Sequence, residues 1–187
     1  MGDNDNKDLR SLRQKEKFVL KQIFTSGFVT SATFFFSFRY APFDTSGLIS
    51  IGDRMAFAIR CLFFSSLSIY FFILKVGNLR FYSNAIDPIK GGGEEVVDIA
   101  NRVLRNTVEQ FITHSVGLLT LSTLLDASSL KAIPILVGLF LLGRVVFWKG
   151  YTSSSALNRG YGFAATNLPT IAVYIYCLFS FVRLYVV

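Results

Sequence analysis

Charged residues are scarce in this chain. They make up 17% of its 187 residues, whereas hydrophobic residues make up 52%. Soluble domains usually carry about a quarter charged residues. The shortage of charge therefore argues against a soluble domain and favours an integral membrane protein.

Histidine and cysteine are also rare. His114 is the only histidine, and Cys61 and Cys177 are the only cysteines. A metal site needs more nitrogen, sulfur or carboxylate ligands than this, so we expect none. Both cysteines lie in apolar runs, which argues against a disulfide framework, and no Ser-His-Asp or Cys-His arrangement is present. The glycines at 91–93 lack the Lys-Ser/Thr of a phosphate-binding loop. For His114 we predict a hydrogen bond between helices and no catalytic role.

The alternation of polar and apolar residues that marks a membrane strand is absent too. Five apolar runs approach or reach the ~20 residues that a helix needs to cross a bilayer. They extend over residues 18–40, 56–76, 101–125, 133–149 and 163–186. The sequence therefore predicts an all-α integral membrane protein with five transmembrane helices. Breaks at Asp87-Pro88 and at the glycines 91–93 should precede the third helix, which we expect to begin at Glu94-Glu95.

Positive charge alternates from loop to loop. Basic residues crowd the N-terminus, where they are Lys7, Arg10, Arg13, Lys15, Lys17 and Lys21. The second and fourth loops are also basic, whereas the first and third carry little positive charge. By the positive-inside rule, the N-terminus and these two basic loops face the cytosol and the C-terminus does not. The net charge of +7 is thereby explained without nucleic acid.

Three parts of the chain are expected. Residues 1–17 form a cytosolic polar head, and residues 18–55 form a first transmembrane helix and its loop. That helix has no ionisable group in its middle, so we interpret it as a packing or anchoring helix. Residues 56–187 form the remaining four helices.

The third apolar run begins with a polar face. Arg102, Asn106 and Glu109 lie at positions i, i+4 and i+7, which a helix places on one side. Ionisable side chains at a membrane span are costly and usually mark a ligand, an ion path or a buried partner. Other arginines are expected at the same membrane level, namely Arg80, Arg105, Arg144 and Arg159. Such a cluster would bind a small ligand carrying carboxylates. The alternative is that Arg102, Glu109 and Arg144 form structural ion pairs.

The second half of the chain contains three motifs, namely Asn101-Arg102-x-x-x-Asn106-x-x-Glu109, Leu142-Gly143-Arg144-x-x-Phe147-x-x-Gly150-Tyr151 and Asn158-Arg159-Gly160-Tyr161-Gly162-Phe163. Together they resemble motifs of the MAPEG family, the membrane-associated proteins of eicosanoid and glutathione metabolism. The resemblance covers about residues 56–187. The additional first helix is similar to that of a five-span branch of the family.

The resemblance implies a homotrimer of four-helix units with glutathione bound between subunits near the cytosol. Small residues that permit close helix approach agree with such packing, and they include Gly117, Gly138 and Gly143. The glutathione-binding positions of the family match Arg80, Arg102, Asn106, Glu109, Arg144 and Tyr151. The catalytic arginine that holds the thiolate matches Arg159, or Asn158 if the loop is aligned without a one-residue shift. Phe147 replaces a tyrosine of the eicosanoid enzymes.

Two functions are compatible with these residues. The first is a glutathione transferase or peroxidase that acts on lipophilic electrophiles entering from the bilayer and limits oxidative stress. The second is a non-enzymatic membrane regulator of receptor or vesicle traffic that binds other membrane proteins. The resemblance implies an endomembrane location, in the endoplasmic reticulum, the Golgi or the endolysosomal system.

Overall fold

Helices form every long element of the computed structural model, which describes residues 2–87, 89, 92–153 and 155–186. The described residues contain five α-helices and no strand: α1 (Gly2–Tyr40), α2 (Ile51–Phe81), α3 (Glu94–Leu124), α4 (Ala132–Tyr151) and α5 (Arg159–Tyr185). The predicted all-α fold and the start of α3 at Glu94 are confirmed. The predicted breaks at Pro88 and Gly91, and the end of the chain at Val187, lie outside the described residues.

Three of these helices are long and apolar enough to cross a membrane. They are α2, α4 together with the short turn before it (Ala127–Tyr151), and α5. The helices α1 and α3 do not meet the same criterion within the described residues. Their apolar second halves contain many serine and threonine residues, which lower the mean hydropathy. Five transmembrane spans therefore remain a prediction. The three apolar helices support the assignment as a membrane protein.

Local chemistry fixes where α2 and α3 begin. The hydroxyl of Ser50 accepts a hydrogen bond from the Asp53 amide at 3.1 Å, which caps α2. Gly93 precedes α3 with φ +72°, and a Cβ built there would lie 2.8 Å from the amide nitrogen of Ala85. Glycine is thus required both for the left-handed backbone and for the close approach.

Glycines also let the later helices pack closely. A Cβ on Gly143 of α4 would collide with the Thr166 side chain of α5, and a Cβ on Gly117 of α3 would lie 3.0 Å from Tyr174. Gly162 lies against the backbone of Phe147 in the same way. The predicted role of Gly117 and Gly143 is confirmed. Gly138 has no neighbour within 4 Å, so within the subunit it makes no close helix contact.

His114 connects α3 to α2. It is 5% exposed, its Nε2 lies 3.3 Å from the Ser65 hydroxyl, and its ring stacks on Phe140 with centroids 4.4 Å apart. The predicted hydrogen bond between helices is confirmed. Cys61 and Cys177 are free and buried, as their apolar surroundings predicted.

Candidate functional site

The predicted site residues lie where the first half of α3 meets the end of α4 and the start of α5. Asn106 contacts Arg144, Tyr151 lies beneath Arg159, and Arg102 lies one helical turn before Asn106 on α3. One subunit therefore brings five of the predicted residues into a single region. The other two predicted site residues, Arg80 and Glu109, are not part of these contacts.

Arg144 lies inside the helix bundle, with 1% of its surface exposed. Its Nη1 donates to the Asn106 side-chain oxygen at 2.9 Å, and its Nη2 donates to the Thr166 hydroxyl and to the Gly162 carbonyl. Its guanidinium carbon lies 4.6 Å from the centroid of the Phe147 ring. The cation is therefore stabilised by neutral oxygens and by an aromatic face, which attracts cations through its quadrupole. This arrangement joins α3, α4 and α5.

The alternative of structural ion pairs is wrong for the residues it named. Arg144 forms no ion pair with a carboxylate of the described chain, and Arg102 pairs with Asp98 rather than with Glu109. The Arg102 Nε lies 2.9 Å from a carboxylate oxygen of Asp98, one helical turn earlier. Glu109 is exposed and has no ion-pair partner among the described residues.

Phe147 explains how the guanidinium of Arg144 is accommodated. The ring is 3% exposed and packs with Phe72 and Val103. Its centroid lies 5.2 Å from that of Tyr151 in an edge-to-face arrangement. A tyrosine here would place a hydroxyl in this apolar cluster, where it would need a partner. Phenylalanine instead supplies only an aromatic face.

Arg159 begins α5 and lies over Tyr151. Gly150 makes this possible, because a Cβ on it would lie 2.6 Å from the Cα of Arg159. The Arg159 guanidinium carbon is 4.9 Å from the Tyr151 ring centroid, and its side chain is exposed. Asn158, by contrast, donates its side-chain amide to the Ser153 hydroxyl at 3.0 Å. Of the two candidates for the thiolate position, Arg159 has the available donor groups.

Arg80 is engaged by its own chain. Its two terminal nitrogens donate to the Glu94 carboxylate at 2.8 and 3.0 Å, and Nη1 also donates to the Ala85 carbonyl at 3.0 Å. These bonds fasten the end of α2 to the start of α3. A ligand at this position would have to displace Glu94.

Sequence reasoning missed the contribution of α1. Gln22 is fully buried, and neither polar atom of its side chain has a hydrogen-bond partner. A Cβ on Gly160 would collide with its carboxamide oxygen. Ser26, one turn later, donates to the Tyr161 carbonyl at 2.9 Å. The first helix thus packs directly behind the turn that carries Arg159. The spacing of Gln22, Ser26 and Thr30 at every fourth residue was the available signal.

Comparisons with known proteins agree with the helical membrane architecture. The chain matches the MAPEG family over residues 58–179. It is 29% identical to transmembrane protein 79 of Mus musculus over 143 residues, covering 76% of this chain and 36% of that protein. Identity to transmembrane protein 79 of Bos taurus is 29% over 151 residues, covering 81% of this chain and 37% of that protein.

The chain spans just over a third of the length of these curated relatives. No solved structure matches it. The resemblance predicted from Arg102, Asn106, Glu109 and the later motifs is confirmed by a match that covers α3, α4 and most of α2 and α5. The chain belongs to the MAPEG family.

Proposed function

We propose that this chain is a glutathione-binding membrane protein that acts as a glutathione transferase or peroxidase on lipophilic electrophiles and thereby limits oxidative stress. One observation carries the proposal. The exposed cation of Arg159 lies over Tyr151, Arg144 bonds to Asn106 inside the bundle, and Arg102 lies one helical turn before Asn106 on α3. Such a site offers positive charge at the surface on a rigid support.

The charges suit the ends of glutathione, which carries two carboxylates and one ammonium group. Arg102 can present two parallel N–H groups to a carboxylate. Its present partner, Asp98, is exposed, and exposed ion pairs of this kind contribute little to stability. A ligand carboxylate can therefore replace Asp98 at little cost. Glu109, which has no ion-pair partner in the described chain, is available to the ammonium group.

Arg159 is proposed to stabilise the glutathione thiolate. A thiol beside a cation has a lowered pKa, so more of it is present as the reactive thiolate at neutral pH. Tyr151 lies under the guanidinium and restrains its orientation. In the transfer reaction the sulfur forms a bond to the electrophilic carbon, and the leaving group departs with its electron pair. Arg159 then has to release a product whose thioether sulfur no longer carries a negative charge.

A trimer would complete this site. Arg102 and Glu109 are exposed on the isolated subunit, so their far sides are free to meet a neighbour. In that assembly glutathione lies between subunits, at the cytosolic side of an endomembrane, and Arg80 lies at the mouth of the site. The loop charges support a cytosolic N-terminus.

Conjugation by protein in lipid nanodiscs tests the proposed activity. Glutathione and a chromogenic, thiol-reactive aromatic electrophile are supplied to the wild type, Arg159→Ala and Asn158→Ala. Losing Arg159 should lower kcat by about 10²-fold, the usual effect of removing one group that stabilises a developing anion. Asn158→Ala should retain activity, and Arg183→Ala at the other end of α5 is the matched control. If Asn158→Ala instead lost the conjugation activity and Arg159→Ala retained it, Asn158 would be the residue that stabilises the thiolate.

The second candidate is a non-enzymatic regulator of receptor or vesicle traffic, which acts by binding other membrane proteins. Similarity to transmembrane protein 79 and the replacement of a family tyrosine by Phe147 favour it. Wild-type protein that binds glutathione but conjugates no electrophile would support the regulator.

A further inference from the structure

A large apolar groove separates the second half of α1 from the rest of the bundle. Its volume is about 780 Å³. Its walls come from α1, α4 and α5, and the end of α3 contributes to the lining. The lining residues include Thr30, Phe34, Phe38, Ala132, Leu136 and Ala172. We call it the lateral groove. It lies apart from the Arg159 region and is built in part by residues that precede the family match at 58–179.

The side chains of α1 explain why the groove is present. At one end, small residues allow close contact, since Ser26 bonds to α5 and a Cβ on Gly27 would lie 3.2 Å from Leu168. One and two turns after Thr30, the same helix face carries Phe34 and Phe38, whose rings stack with centroids 5.8 Å apart. These large rings hold α1 away from the small side chains of the opposite wall, such as Ala132 and Ala172.

Contacts at both ends hold α1 in this position. Behind the first half are Ser26 and Gln22, which pack on the start of α5. Beyond the second half, the Thr45 hydroxyl donates to the Ala127 carbonyl at 2.6 Å. Lys131 also reaches back, with its Nζ 4.5 Å from the centroid of Phe38. A groove between two fixed ends is a built cavity, and its volume falls within the range of about 300–1,000 Å³ that is typical of small-ligand sites.

Charge at the rim indicates the kind of ligand. Lys131 lies beside Phe38, which lines the groove, and it forms no ion pair with a carboxylate in the described part of the chain. The groove itself is lined mainly by apolar and aromatic side chains, with Ser129 near the Lys131 end. From the turn before α4 to Leu139 it extends over about ten residues of helix, or roughly 15 Å.

We propose that the lateral groove binds a single-chain anionic amphiphile of the long-chain carboxylate class. The aliphatic chain lies along Phe34, Leu136 and Ala172, and the carboxylate meets the ammonium group of Lys131. The apolar lining matches the aliphatic chain, and the single cation of Lys131 matches a single negative charge. This site is independent of the proposed glutathione chemistry.

Photolabelling tests the proposal on the full chain in nanodiscs of neutral phosphatidylcholine. The probe is a long-chain carboxylic acid with a photoreactive group in its chain, and labelled peptides are located by mass spectrometry. We expect labels on α1, α4 and α5 around the groove. Ala172→Trp, which fills the groove from an exposed position, should reduce that labelling at least about tenfold, a change equivalent to about 1.4 kcal/mol. Leu178→Trp on the same helix, outside the groove, should leave it unchanged.

Competition tests the headgroup. Unlabelled palmitate should displace the probe about tenfold better than hexadecanol from the wild type, as expected for a hydrogen bond to a charged group. Lys131→Gln should abolish this difference, whereas Lys149→Gln at the other end of α4 should preserve it. Uniform labelling of lipid-facing helices, or labelling unaffected by Ala172→Trp, would overturn the site. Equal competition by hexadecanol or cholesterol, or stronger competition by an anionic phospholipid, would overturn the ligand class.

Discussion

The Nη1 of Arg144 donates to the side-chain oxygen of Asn106 at 2.9 Å, and this bond links α4 to α3 inside the bundle. Both residues match glutathione-binding positions of the family by sequence. In this subunit, however, the guanidinium is buried and its hydrogen bonds go to the protein. Arg144 therefore joins the helices behind the proposed site.

Arg144→Ala should destabilise the fold. The substitution removes bonds from a charged donor and leaves Asn106 and Thr166 with unpaired polar atoms. Each hydrogen bond to a charged group is worth about 1.5–3 kcal/mol, so the free energy of unfolding should fall by at least about 2 kcal/mol. Denaturant unfolding in lipid-detergent micelles measures this, with the exposed Arg105→Ala as control. A variant as stable as the wild type that no longer binds glutathione would instead make Arg144 a direct ligand contact.

Arg102→Ala and Asp98→Asn should change the affinity for glutathione in different ways. Arg102→Ala removes a cation from the binding region and should weaken binding by about 2–5 kcal/mol, the usual cost of truncating one partner of a charge pair buried by the ligand. Asp98→Asn only removes a competitor for Arg102, so affinity should stay the same or rise slightly. Isothermal titration of both variants compares them directly. Weaker binding by Asp98→Asn would show that the carboxylate itself contacts the ligand.

Gly160 should be intolerant of alanine because Gln22 occupies the space of its Cβ. Alanine normally stabilises a helical position by about 0.5–1 kcal/mol relative to glycine. Gly160→Ala should instead lower the free energy of unfolding by about 1–3 kcal/mol, as for overpacking. Adding Gln22→Ala in the same chain should recover much of that loss. Gly138→Ala, where the space is open, is the control and should be neutral or stabilising. Additive effects at 22 and 160 would show that the two helices do not meet there.

A homotrimer is expected. Native mass spectrometry of the protein released from nanodiscs should give three times the subunit mass of 20.9 kDa. The expectation rests on family membership and on exposed site residues that a neighbour would cover. A species that remains monomeric across a range of protein concentrations would count against an interfacial glutathione site.

The two ends of the chain should lie on opposite sides of the membrane. A tag before Met1 and a tag in the loop after α2 should be accessible from the cytosol, and a tag after Val187 should be protected. Protease digestion of sealed microsomes measures this. If both tagged ends lay on one side, one helix would not cross the membrane. The candidates are α1 and α3, which carry the most charged residues of the five helices.

Much of the fold could be predicted because membrane helices have a strong local signal. The apolar runs predicted the helices, and the acidic pair Glu94-Glu95 predicted the start of α3. The single histidine, His114, predicted a hydrogen bond between helices. The burial of Arg144 could not be read from its own helix, because it depends on Gly143 and Gly162 bringing α5 close. The ion pair between Asp98 and Arg102 could have been predicted from their i, i+4 spacing on the helix. The packing of Gln22 could not be predicted in full, because its spacing with Ser26 and Thr30 indicates a shared helix face but not the helix that this face contacts.

Glutathione binding is the most direct test of the central claim. Titration of glutathione into wild-type protein in nanodiscs should give saturable heat at millimolar ligand or below, and the signal should be lost in Arg102→Ala and kept in Arg183→Ala. Absence of binding to the wild type at millimolar glutathione would contradict the account and leave Arg102, Glu109 and Arg159 without a shared ligand.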